Sequence, residues 1–191
     1  MTDAQDDAPA ATAKHGDAAA TVTESLIDGK GSSVVGRSVT INRPVSELYA
    51  YFRDFANLPR FMENVVSIET RDDKVSHWTV KAPAGATVSW DARVTQEEPD
   101  RLIAWTSEPG ADVANSGRVE FRDAGERGTV VTATIAYDPP GGVIGKVIAK
   151  MFQREPAIQA RRDLRRFKQL METGEIATPA MNPTQFEEMG L

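Results

Sequence analysis

Cysteine is absent from this chain. That removes disulfides, thiolate metal sites and a cysteine nucleophile from consideration. Histidine is almost absent: His15 and His77 are widely separated, and this spacing supports no metal site, so no metal or cofactor is expected. No apolar run approaches the length that spans a bilayer. The first residues include Asp3, Asp6 and Asp7 and no apolar stretch, which does not read as a secretory signal. A cytoplasmic protein is the expectation. With a net charge of −6, wholesale affinity for nucleic acid is unexpected, and no DNA partner is foreseen. An inward-facing pair of carboxylates, the usual equipment for proton transfer, is not evident either, since Asp91 and Glu120 fall on outward positions of their strands.

What is present suits one domain with tails: 191 residues, 40% of them hydrophobic. Residues 1–33 hold six acids, two lysines and almost no large apolar side chains, and read as a disordered acidic arm. Residues 173–191, with Gly174, Pro179, Pro183 and Gly190, read as a flexible tail. The folded domain is expected over 34–172. Residues 35–42 alternate with Val39 and Ile41 inward and predict a strand. Pro44 opens a helix whose inner face is Leu48, Tyr49 and Phe52. Asn57-Leu58-Pro59 breaks it before a second short helix at Arg60–Met62. Strands are predicted over 65–70, 75–82, 87–96, 102–107, 113–122 and 129–137. Alternation turns Trp78 and Val80, then Val88, Trp90, Ala92 and Val94, then Trp105, then Asn115, Gly117, Val119 and Phe121, then Val131, Ala133, Ile135 and Tyr137 to one face. The strands stop at Pro139-Pro140-Gly141-Gly142. From Pro156 to Glu172 the residues Ala157, Ala160, Leu164, Phe167 and Met171 fall on one helical stripe. A sheet and a helix with one apolar face must pack together, and a curled sheet leaves room for a pocket between them. The predicted class is α+β: a curved antiparallel sheet of six to seven strands around a long C-terminal helix, with two short helices after the first strand.

That order, with five particular stretches, resembles the helix-grip superfamily of START lipid-binding domains and the birch-pollen allergen. Within it, the chain is similar to the bacterial polyketide cyclase/dehydrase and lipid-transport family. The stretches are Arg37–Pro44, Phe55–Phe61, Ile103–Ser107 with Pro109-Gly110, Tyr137–Gly142, and Asp163–Lys168 running on to Glu172–Glu175. The resemblance covers about residues 34–176. It implies binding of a lipid, quinone or polyketide-like molecule between sheet and helix, in some relatives a cyclase or dehydratase reaction, and in others contacts with a protein or the ribosome.

The candidate ligand-binding residues are Trp78, Trp90, Trp105, Asn115, Phe121, Tyr137, Leu164 and Phe167. The tryptophans suit an apolar or ring-bearing guest, and they equally suit core filling. Asn115 and Tyr137, with Ser107 at a strand end, are polar groups facing inward that need partners. They are also the candidate catalytic pair if the chain is an enzyme, with Tyr49 and Arg37 as further candidates. Gly117 reads as a strand bulge, and His77 as solvent-facing. Residues 143–172 hold eight bases against three acids. Lys146, Lys150 and Arg154, then Arg161, Arg165 and Lys168, repeat at helical spacing. They form either a patch for a peripheral membrane surface, RNA or an acidic protein partner, or the solvated back of a core helix. A monomer or weak dimer is expected.

Overall fold

The computed structural model of the protein describes residues 33–82, 85–138 and 156–177. Strand β1 (Ser33–Ile41) leads into helix α1 (Val45–Arg53) and a 3-10 helix (Phe55–Arg60). Six strands follow: β2 (Val65–Thr70), β3 (Val75–Lys81), β4 (Thr87–Glu98), β5 (Leu102–Ser107), β6 (Ala114–Asp123) and β7 (Thr129–Asp138). The last element among the described residues is helix α2 (Pro156–Thr173). The sheet runs β1-β7-β6-β5-β4-β3-β2, antiparallel throughout. The expected helix-grip arrangement is therefore present, with seven strands and two short helices after the first.

Alternation sets the faces as the residue pattern predicts. In β3, Ser76, Trp78 and Val80 are buried while Val75, His77 and Thr79 are half-buried. His77 lies on the outer face and its Nδ1 sits 2.7 Å from Asp91 of β4. Between the sheet and the helices, Leu48, Leu58, Phe61, Ile103, Val119, Val131 and Phe167 are at most 1% exposed. Their removal from water supplies the main driving force for the fold.

The second short helix starts at Phe55, five residues earlier than the sequence suggests. Asp54 explains it: its carboxylate accepts the Ala56 N–H at 3.3 Å and starts a new turn where α1 ends. Pro59 then sits inside this short helix, where few intrahelical donors are needed.

The C-terminal end of α2 is clasped to the end of β1. Arg43 donates from Nε to Met171 O at 2.6 Å and from Nη2 to Glu172 O at 3.1 Å. The Asn42 N–H donates to the Glu172 carboxylate at 2.7 Å, and Lys168 Nζ to Thr40 O at 2.5 Å. Partial burial works against the Glu172 charge, but the Asn42 amide and Lys168 hold its carboxyl below the usual range. Gly174 closes the helix in the left-handed region, φ +81, donating to Leu170 O at 2.9 Å.

Midway along α2, Asp163 Oδ1 accepts from Gln159 Nε2 at 2.9 Å and from the Glu63 N–H at 3.3 Å. Burial pushes this carboxyl up to about 7; the two hydrogen bonds and Arg166 oppose the rise, and Glu63 adds to it. A raised carboxyl favours the folded state in its protonated form. The associated stability is full below pH 4 and is lost as pH rises through 7. Asp163→Asn keeps the accepting oxygen and removes the charge. We expect the variant to match the parent in thermal unfolding at pH 4 and to exceed it at pH 8, by on the order of 1 kcal/mol or more.

Candidate functional site

The concave face of the sheet divides into two halves. Under α1, the 3-10 helix and the clasped end of α2 it is sealed by aromatic rings. Phe61 stacks on Phe167 with centroids 4.7 Å apart, and Phe52 meets Phe61, Phe121 and Phe167 at 6.1, 5.9 and 5.9 Å. The other half carries Trp90, Trp105, Asn115 and Ile135, all half-buried. Phe121, Leu164 and Phe167, three of the candidate ligand-binding residues, are thus buried in the core. Trp90, Trp105 and Asn115 share the less covered half. Tyr137 is paired with Asn115 in the β6–β7 register, but its side chain lies outside the described residues. So do Lys146, Lys150 and Arg154, the arm over 1–33 apart from Ser33, and the tail from 178.

Trp78 and Trp90 are register partners on β3 and β4, with rings nearly parallel at 9° and centroids 6.3 Å apart. The two indoles differ in one respect. Trp78 is buried and its Nε1 donates to Ser76 Oγ at 2.9 Å. The Trp90 Nε1 is also buried, and it has no hydrogen-bond partner among the described residues. An unsatisfied buried donor costs about 1–3 kcal/mol, a cost that an incoming acceptor removes.

Trp105 lies flat over Gly117, its register partner on β6. A Cβ on Gly117 would stand 2.4 Å from Trp105 Cζ2 and 2.9 Å from Cε2. The register around Gly117 is continuous, so this glycine is no bulge. Its missing side chain is the seat of an indole, and sequence spacing alone does not distinguish these two uses.

Asn115 is held locally. Its backbone N–H donates to Ser107 Oγ and its Nδ2 to Val113 O, both at 3.0 Å. The strand-end serine and the amide are therefore brought together as one polar rim.

A carboxylate does reach the face of the helices, at its exposed rim: Glu97. The β4–β5 register shifts between Val94 and Gln96. This bulge turns Glu97 to the face of its partner Ile103. There it accepts from Tyr49 Oη at 2.8 Å and from Arg53 Nε at 2.6 Å. Arg53 holds the Glu97 carboxyl low, against partial burial, with help from the phenol. Burial, then Glu97 itself, pushes Tyr49 up to about 12. The trio pins α1 to β4. The signal available in the sequence was the break in alternation at Thr95-Gln96-Glu97. Arg37, the other further candidate, borders a separate pocket of about 250 Å³ between β1 and α2.

No group of three histidine, aspartate or glutamate side chains suited to a metal occurs among the described residues. None of the described helices is long and apolar enough to cross a membrane.

Comparison with known proteins gives four findings. The model of the family described as polyketide cyclase/dehydrase and lipid transport matches residues 41–165. A Streptomyces lincolnensis protein, described as an uncharacterized 17.2 kDa protein, is 33% identical over 141 residues, 73% of this chain and 90% of its own length. Among solved structures, a Deinococcus radiodurans protein is 46% identical, with a TM-score of 0.61 over 75% of this chain and all of its own. An aromatase/cyclase of Streptomyces sp. R1128 is 14% identical, with a TM-score of 0.60 over 76% of this chain and 99% of its own, a likeness of fold alone.

Proposed function

Since the chain belongs to the polyketide cyclase/dehydrase and lipid transport family, we propose that it binds an apolar, ring-bearing small molecule that carries a hydrogen-bond acceptor such as a ketone. The site is the half-buried part of the concave face. One observation carries this reading: the buried, unpartnered N–H of Trp90, stacked on an indole whose own N–H is satisfied. Trp105, seated over Gly117, and Ile135 supply the apolar wall. The described polar groups at this rim are the amide of Asn115 and the hydroxyl of Ser107, which already accepts the Asn115 N–H. They offer hydrogen bonds rather than proton transfer, so binding is the reading preferred over catalysis.

The test uses two ligands of matched shape, 2-acetylnaphthalene and 2-ethylnaphthalene, with binding followed by displacement of a lipophilic fluorescent probe. Trp90→Phe keeps a ring and removes the donor. We expect the variant to bind the ketone about 3–10-fold more weakly, the worth of one net hydrogen bond, and the hydrocarbon unchanged. Equal loss of both ligands, or no displacement of the probe by either from the parent protein, would reject the reading.

A further inference from the structure

The pocket between β1 and α2 is distinct from the tryptophan site. It is lined by Arg37, Ser38, Val39, Arg161, Leu164, Arg165 and Lys168. Four of these seven are cations, and none is an acid. Arg37 and Val39 alternate with Ser38 along the strand, so a pocket touching all three sits at the strand's edge. Among the described residues β1 is indeed an edge strand, paired only with β7. An edge strand leaves backbone donors and acceptors without a sheet partner.

The arginines of α2 fall into two pairs with different employment. Arg162 makes an ion pair with Glu63 at 3.3 Å, and Arg166 donates from Nε to Phe61 O at 3.0 Å. These two secure the helix to the loop before β2. Arg161 and Arg165 have no ion pair or hydrogen-bond partner among the described residues, and both border the pocket. Arg37 reaches it from the strand, with Nη1 donating to Gly36 O at 2.6 Å and its other guanidinium donors without a partner among the described residues. Lys168 adds a fourth charge beside its bonds to Thr40 O and Glu172. Like charges held together around a concavity repel one another, and an anion placed among them reverses the sign of that energy. Guanidinium forks match the oxygens of a phosphoryl group in pairs.

We propose that this pocket binds a phosphoryl group, with Arg37, Arg161 and Arg165 donating to its oxygens and Lys168 supplying charge. Two sources present that chemistry: a soluble phosphate compound and an anionic phospholipid headgroup.

The experiment titrates the full chain with inorganic pyrophosphate, against sodium chloride of matched ionic strength, and separately with phosphatidylglycerol vesicles, against phosphatidylcholine vesicles. Arg161→Gln with Arg165→Gln removes the two unpaired forks; Arg162→Gln removes one arginine of the same helix that is already paired. We expect the double variant to lose about tenfold or more in affinity, from loss of charged hydrogen bonds, and Arg162→Gln to retain parental affinity. Binding of pyrophosphate alone identifies a soluble ligand. Binding of phosphatidylglycerol vesicles alone identifies a headgroup. No binding in either arm overturns the proposal, as does equal weakening by Arg162→Gln, which would reduce the effect to net charge. Displacement by 2-acetylnaphthalene, measured on the same variants, reports the tryptophan site independently, so failure of one proposal leaves the other standing.

Discussion

Phe167→Ala is expected to cost about 3–5 kcal/mol of folding stability, the upper range for a buried aromatic truncated to alanine. Phe167 is fully buried. It stacks on Phe61 at 4.7 Å and meets Phe52 at 5.9 Å and Tyr51 at 6.0 Å. These rings come from α1, from the loop after the 3-10 helix, and from α2, so one side chain joins three segments distant in sequence. The void left behind borders the rings of Tyr51, Phe52 and Phe61, and a close-packed core fills such a space only in part. Urea unfolding checks the loss. A cost below about 1 kcal/mol, the level of a surface substitution, would mean that α2 contributes little to the core.

The second large effect is expected at Gly117. In an ordinary strand, alanine in place of glycine stabilises by roughly 0.5–1 kcal/mol through backbone entropy. Here the added methyl would meet the Trp105 ring at 2.4–2.9 Å. An indole is rigid, and the backbone of β6 is fixed between β5 and β7. The clash therefore reverses the sign: we expect Gly117→Ala to destabilise by about 1–3 kcal/mol, the usual cost of overpacking, and to displace the indole toward solvent, seen as a red shift of tryptophan emission. Combining it with Trp105→Ala should restore most of the loss attributable to the methyl. The coupling between the two positions is the quantity to measure, and additive losses would contradict the contact.

The strands and the terminal helix were legible in the sequence because their faces repeat with fixed periods. Trp78, Trp90, Trp105, Val119 and Val131 each point where alternation places them. The features that escaped depend on registers between strands. Glu97 is turned to the face of the helices by one extra residue in β4, and nothing in Thr95-Gln96-Glu97-Glu98 says which residue the partner strand will skip. At Gly117 the sequence predicts a bulge because a glycine shows what it lacks and not what fills the space. The difference between Trp78 and Trp90 rests on a single serine, Ser76, two positions from one indole and on the same face. The contrast between Arg161 and Arg162 likewise depends on Glu63, a hundred residues away, and helical spacing cannot tell a paired guanidinium from an unpaired one.

The clasp joining Asn42 and Arg43 to Met171 and Glu172 has a mechanical consequence. It fixes the C-terminal end of α2 to β1, while Arg162, Asp163 and Arg166 fasten the middle of the same helix to Glu63 and Phe61. Two sets of ties, about 10 Å apart along the helix at 1.5 Å per residue, therefore resist rotation of α2 against the sheet as well as its withdrawal.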